Sequence, residues 1–244
     1  TILYDALIHA SIRDATRLGF GTAWHFEHND LDHLETLLKR STNTIYVVTE
    51  SVFSMDGDLA PLKEMVELCD KYDAKLIVDE AHAGGIFGKK GEGLVDSLGL
   101  SDRVFARVIT FGKAFGRHGA VVLGSEELKQ FLINFSRPFI YSTALPPREV
   151  ESIKKIVEYR STDTEAPAKL CTNIKHWNDL THSDHKSPII IRSVSGGNEA
   201  AKALSASLLK QGFQVPSILS PTVPKGKERL RICLHSFNTK DEIA

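Results

Sequence analysis

The chain has 244 residues, with 30 Lys and Arg against 31 Asp and Glu and a formal net charge of −1. At 42% hydrophobic and 25% charged residues it has the composition of a globular protein with a sizeable core, which excludes disorder as the default. The balanced charge excludes the electrostatic footprint of a general nucleic-acid binder, and no apolar run approaches the ~18–20 residues of a helical membrane span. No nucleic acid and no membrane is therefore expected as a partner.

The three cysteines, Cys69, Cys171 and Cys233, are odd in number and far apart. They suit a reducing, cytoplasmic compartment better than a disulfide framework or a CxxC metal knuckle. The chain opens Thr1-Ile-Leu-Tyr without an initiator Met and stops at Asp241-Glu-Ile-Ala as if inside a helix. The expectation is an internal piece of a longer protein, incomplete at its N-terminus.

In chain order, His25, His28 and His33 form a loose cluster. Their irregular spacing reads as the solvated start of a helix capped by Asn29 or Asp30, rather than as a metal site. Leu31, Leu34 and Leu38 follow at helical spacing, and so, further on, do Leu62, Met65, Val66 and Cys69. Between and after them, Thr44–Glu50, Ala74–Asp79, Val104–Thr110 and Ala120–Gly124 have the length and β-branched content of strands buried on both faces. This alternation predicts an α/β domain with a largely parallel sheet. Pro146-Pro147 suits the first turn of a helix over Arg148–Tyr159, which runs into the polar stretch Arg160–Thr164. A helix over Ala166–Leu180, a strand Pro188–Ser193, a helix Asn198–Gln211 and a strand near Arg229–Leu234 predict a smaller α+β domain. The division is expected to fall as a large domain over 1–150 and a small one over 151–244.

In open α/β sheets, ligands bind at the carboxyl ends of the strands. Those ends read Glu50-Ser51-Val52-Phe53-Ser54, Asp79-Glu80-Ala81-His82 and Thr110-Phe111-Gly112-Lys113. The DEAH string at 79–82 invites an NTPase reading in which Asp79 holds Mg²⁺. That reading needs a GxxxxGK[ST] loop, and these residues contain none. Lys113, between Gly112 and Gly116 and directly after a buried strand, is placed for partial desolvation of its amine and for Schiff-base chemistry. Pyridoxal phosphate needs such a lysine, together with an acid against its pyridine nitrogen, and Asp79 at the neighbouring strand end is placed to supply it. Taken singly, each residue has a plainer account: Asp79 as a loop-capping acid, His82 as a structural histidine, Lys113 as a surface lysine. Arg229 and Arg231 lie on one expected strand, and an arginine there pointing to solvent is the plainer account of either.

Together, His9-Ala-Ser, Glu50-Ser-Val-Phe-Ser-Met-Asp-Gly-Asp58, Val78-Asp-Glu-Ala-His82, Thr110-Phe-Gly-Lys-Ala-Phe-Gly116, Tyr141-Ser-Thr-Ala-Leu-Pro-Pro147 and Pro221-Thr-Val-Pro-Lys-Gly-Lys-Glu-Arg-Leu-Arg231 resemble the α-oxoamine synthases. These are pyridoxal-phosphate enzymes of fold type I, and the resemblance runs over nearly the whole chain in the family's order. The family's opening part, with a glycine-rich segment that helps hold the cofactor phosphate, has no counterpart here.

The resemblance implies that Lys113 carries the cofactor and then moves the proton at the substrate α-carbon. It implies that Asp79 pairs with the pyridinium nitrogen, that His82 and Ser54 hydrogen-bond near the phenolic oxygen, and that His9 stacks on the cofactor face. Thr110 is implied at the phosphate, Ser142 and Thr143 at the phosphate of a neighbouring subunit in a homodimer, and Arg231 at the amino acid carboxylate. Within the family the wording is nearest to members that condense L-alanine with a pimeloyl thioester, on CoA or an acyl carrier protein, with loss of CO₂, in biotin synthesis. Glycine with acetyl-CoA, glycine with succinyl-CoA, and serine with a long acyl-CoA are the alternatives within the family. A silent scaffold subunit is a further one, against which the presence of Lys113 counts. Relatives carry a hydroxyl residue where this chain has Gly84, and the change is expected to enlarge the pocket beside the cofactor or to loosen the loop.

Overall fold

The computed structural model describes residues 1–244, and they fall into two compact units. The first comprises Thr1–Phe53 and Ala60–Asp163, and the second Ser54–Leu59 and Thr164–Ala244. The expected division at 150/151 lies inside a helix, Pro147–Thr162, that stays with the first unit.

The first unit contains β1 (Ile2–Asp5), α1 (Ala10–Leu18), β2 (Ala23–Phe26), α2 (Leu31–Arg40), β3 (Ile45–Glu50), α3 (Leu62–Lys71) and β4 (Ala74–Asp79). It continues with α4 (Leu94–Ser97), β5 (Ala106–Thr110), β6 (Ala120–Gly124), α5 (Glu126–Phe135), α6 (Arg137–Ile140) and α7 (Pro147–Thr162). Its six strands form one sheet in the order β2-β1-β3-β4-β5-β6. All pairings are parallel except that of β5 with β6. The expected α/β architecture with a mainly parallel sheet is the one observed. No helix is long and apolar enough to cross a membrane.

Local chemistry explains the elements. Asp30 caps α2 by accepting from the His33 N–H at 2.8 Å, as one of the two capping readings expected. The three nearby histidines then part ways: His28 pairs with buried Asp5 at 2.9 Å, the His33 ring accepts from the Glu27 N–H, and His25 lies beside Tyr4. Leu34 and Leu38 from α2 and Met65, Val66 and Cys69 from α3 are buried, as are Val47, Leu76 and Val78 in the sheet. The core of the first unit is thus sheet against helix, the arrangement that a parallel sheet requires. Two expectations need correction. β1 and β2, four residues each, have no counterpart in the sequence reading. β6 is not buried on both faces: it pairs only with β5, and Val122 and Leu123 are exposed.

The second unit contains α8 (Glu165–Thr181), β7 (Ile189–Ser193), α9 (Gly197–Lys210), β8 (Ser217–Ile218), β9 (Arg229–Cys233) and α10 (Lys240–Ile243). Its antiparallel sheet has the order β7-β9-β8. Ile189, Ile190, Leu230, Ala201 and Leu170 are buried there. The Ser54–Leu59 segment joins this unit through close backbone approach: a Cβ on Gly57 would lie 2.1 Å from the Ile189 carbonyl oxygen, and Ser187 Oγ donates to the Gly57 carbonyl at 2.6 Å.

Candidate active site at the strand ends

The register of the parallel strands aligns Glu50 of β3 with Asp79 of β4, and Asp79 with Val108 of β5. Thr110 ends β5, and the loop carrying Lys113 leaves from it. His9 enters the same unit from the loop after β1 and caps α1, its Nδ1 accepting from the Ser11 N–H at 3.3 Å. The site is therefore built from the carboxyl ends of adjacent parallel strands, where loops of independent length bring side chains together.

The Asp79 carboxylate accepts one hydrogen bond, from the Ala81 N–H at 2.8 Å. Burial pushes the carboxyl above its ordinary value of 3.8, and the Ala81 N–H, the Lys113 ammonium and then His9 act against that shift. Lys113 and His9 therefore both lie close enough to Asp79 to act on it electrostatically. Thr110 Oγ1 is buried and makes no hydrogen bond, an uncommon condition for a hydroxyl and one that a ligand oxygen would relieve. His82 is half-buried on the turn that follows Asp79.

Lys113 itself is exposed, so the expected desolvation of its amine is not supplied by the residues around it. Its loop is nonetheless anchored. Phe115 is buried, Arg117 N donates to the Phe111 carbonyl at 2.7 Å, and Gly116 N donates to the Lys113 carbonyl at 3.0 Å. The anchor rests on the turn after His82. A Cβ on Gly84 would stand 2.8 Å from Ile109 Cγ2 and 3.5 Å from the Phe115 ring, and one on Gly85 would stand 2.8 Å from Ala114 Cβ. Gly84 thus neither enlarges a pocket nor loosens a loop. The space is filled by Ile109 and Phe115, which draws the lysine loop against the carboxylate turn.

Asp79, His82, His9, Thr110 and Lys113 all belong to the first unit. Ser142 and Thr143, also of this unit, are exposed after α6. Ser54 and Arg231 belong to the second unit. There Arg229 does not face solvent: its Nη1 donates to Asp56 at 2.6 Å and to the Met55 carbonyl at 3.0 Å. Arg231, two residues on, is half-buried, and its Nε is buried without an acceptor. That leaves a charged donor available to an anion such as a carboxylate.

Sequence reasoning passed over one feature beside these residues. Glu80 and Arg107 form a buried ion pair at 2.6 Å behind Asp79. A charged residue in the middle of the apolar run Val104–Thr110 was the signal for it.

A family model described as aminotransferase class I and II matches residues 1–244. The chain is 38% identical over 272 residues to an 8-amino-7-oxononanoate synthase of Emericella nidulans, covering 99% of this chain and 65% of that protein. It is 39% identical over 254 residues to an enzyme of the same name from Alkaliphilus metalliredigens, covering 99% and 63%. A high-resolution structure of SPT with PLP internal aldimine superposes with a TM-score of 0.93 at 30% identity, covering 99% of this chain and 63% of that one. The chain therefore spans 63–65% of the length of these relatives. Residues 1–244 as a whole belong to the aminotransferase class I and II family.

Proposed function

We propose that the protein is a pyridoxal-phosphate-dependent acyltransferase that condenses L-alanine with a pimeloyl thioester, on CoA or an acyl carrier protein, to give 8-amino-7-oxononanoate for biotin synthesis. The observation that carries this reading is the meeting of Lys113, His9 and the burial-raised carboxyl of Asp79 at the ends of adjacent parallel strands. The similarity to two 8-amino-7-oxononanoate synthases over 99% of the chain supports it.

The residues fit the cofactor. Asp79 accepts from one N–H donor, that of Ala81, and so keeps capacity for a protonated ring nitrogen. The partnerless buried hydroxyl of Thr110 suits a phosphate oxygen. His82 and Ser54 would serve the phenolic oxygen, and His9 the ring face, where an aromatic contact adds roughly 0.5–1.5 kcal/mol beyond area burial. When bound, the cofactor supplies an electron-accepting ring that stabilises negative charge at the amino acid α-carbon.

The chain's own groups do the rest. Arg231 binds the alanine carboxylate through its fork of donors. The Lys113 amine takes the α-proton and later returns one, work that typically contributes about 10²–10⁴-fold. In the balanced reaction the α-carbon bonds to the thioester carbonyl carbon, the carrier thiol departs, and the alanine carboxylate is released as CO₂.

Ser142 and Thr143 serve the phosphate of a second subunit in a homodimer. Exposed Phe135, Phe139 and Tyr141 beside them support that assembly, which sedimentation of the full chain would register as twice the protomer mass. The free thiols suit the cytoplasm.

The test is borohydride reduction of the full chain with pyridoxal phosphate, followed by peptide mass spectrometry. The expected result is a yellow protein absorbing near about 420 nm, with the reduced adduct on Lys113 and no adduct in Lys113→Ala. An adduct elsewhere, or none, overturns the assignment. The likeness to SPT favours a second reading, serine with a long acyl thioester. Turnover assays that pair alanine, glycine and serine with pimeloyl and palmitoyl thioesters decide between the two.

A further inference from the structure

We propose that Glu80 is a positioning residue for Asp79, acting with Arg107 and Gly93 to fix the direction in which the Asp79 carboxylate faces. The inference rests on the reading of Asp79 as the cofactor's carboxylate.

The Glu80 side chain is fully buried and satisfied on both oxygens. Oε2 accepts from Arg107 Nε at 2.7 Å, and Oε1 accepts from the Val95 N–H at 2.9 Å. Arg107 is held in turn, donating from Nη2 to the Glu92 carbonyl and from Nη1 to Ser101 Oγ at 3.3 Å. The fit is close: Gly93 has φ +102, and a Cβ there would stand 2.6 Å from Glu80 Oε2. Only glycine lets the backbone pass against this carboxylate.

The Glu80 backbone is tied as firmly. Its N–H donates to the Val108 carbonyl at 2.8 Å, and its carbonyl accepts from the N–H groups of Ala83 at 2.9 Å and Gly84 at 2.8 Å. Those bonds define the turn that carries His82 and the Ala81 N–H, the one donor to Asp79. Along an extended chain, neighbouring side chains point to opposite sides. Fastening Glu80 behind the sheet end therefore sets where Asp79 points in front of it.

Stability alone gives little reason for the arrangement. Desolvating two charges costs much of what their attraction returns, and apolar replacement of a buried pair is often neutral or stabilising. What a pair satisfied on every side adds is one defined geometry, and a displacement of about 1 Å at a reacting centre costs about 10²-fold.

The test is a double-mutant cycle on the full chain. It combines Glu80→Met/Arg107→Met with Asp79→Asn and reads the dissociation constant of pyridoxal phosphate by absorbance titration, beside the melting temperature without cofactor. The expected result is a folded Met/Met protein whose cofactor binding is weakened about tenfold or more. In the Asp79→Asn background the same pair is expected to change binding by less than about twofold, because the loss passes through Asp79. Equal losses in the two backgrounds mean a general structural role and overturn the proposal, as does parent affinity in the Met/Met protein. Should Met/Met fail to fold, Glu80→Gln takes its place in the same cycle with the same criteria. A parent chain that binds no pyridoxal phosphate overturns the reading of the site, and this inference with it.

Discussion

Lys113 opposes the rise in pKa that burial imposes on Asp79, and burial prevails. The ammonium and the His9 ring both favour the carboxylate, yet the desolvation of the strand end keeps the carboxyl above its ordinary 3.8. A raised folded-state value means that the folded chain holds this proton more tightly than the unfolded chain does. Asp79 therefore contributes stability below 3.8 that is lost as the pH rises through the folded value, and at neutral pH the ionised group weakens the cofactor-free fold. Asp79→Asn, which keeps an acceptor for the Ala81 N–H, is expected to raise the urea midpoint of the cofactor-free protein at pH 7. The gain should shrink as the pH falls and vanish near about pH 3. The same variant should bind pyridoxal phosphate more weakly than the parent, because the ring nitrogen loses its carboxylate partner. An Asn chain less stable than the parent at pH 7 would mean that Lys113 and His9 outweigh burial.

The placement of Asp79 and of the Lys113 loop at adjacent strand ends was legible in the sequence because apolar runs of that length become parallel strands. The same logic overreached at Ala120–Gly124, whose apolar content matches that of the central strands although only β5 pairs with it. Four-residue strands such as Ile2–Asp5 carry too little pattern to be read from their own residues. Glu80 and Arg107 were hidden for another reason. Their meaning lies in each other, 27 positions apart, and pattern along one strand does not report pairing with a residue beyond another strand's end.

Gly84 illustrates how a missing side chain is a packing statement. The Cβ that Gly84→Ser introduces would stand 2.8 Å from Ile109 Cγ2 and 3.5 Å from the Phe115 ring, so Ile109 or the Lys113 loop must yield. Overpacking of this kind typically costs about 1–3 kcal/mol. Chemical denaturation should show a loss in that range, with slower formation of the reduced Lys113 adduct. A variant with parent stability and parent adduct rate would show that Ile109 moves aside without consequence.

The thiols divide by environment. Cys69 is buried on α3, and desolvation, with a smaller contribution from Asp70, pushes its pKa up to about 12. Cys171 and Cys233 are exposed. Since the thiolate is the reactive form, Cys69 is expected to stay silent towards a disulfide reagent at about pH 8 while the other two react. Counting released thiolate should give two equivalents natively and the third only in denaturant. A third native equivalent would indicate that α3 opens on the assay's timescale.

Arg160 was read from the sequence as the start of a polar chain segment, and the structure makes it a clamp. It is buried at the end of α7, with Nε donating to the Gly85 carbonyl at 2.8 Å and the two Nη groups reaching the carbonyls of Gly88 at 3.4 Å, Lys89 at 3.4 Å and Asp163 at 3.2 Å. Three of these acceptors lie in the loop that follows His82, so α7 holds the site's turn from behind. Arg160→Met keeps the apolar stem and removes the donors to the Gly85, Gly88, Lys89 and Asp163 carbonyls. A loss of about 1–3 kcal/mol is expected from the charge-assisted bonds. Arg160→Lys should recover little of it, because a compact ammonium cannot reproduce a planar fork that spans several carbonyls. Limited proteolysis offers the local check. In the Met variant, cleavage should begin within Gly85–Gly91 under conditions where the parent chain resists, whereas cleavage that begins elsewhere would place the clamp's effect outside this loop.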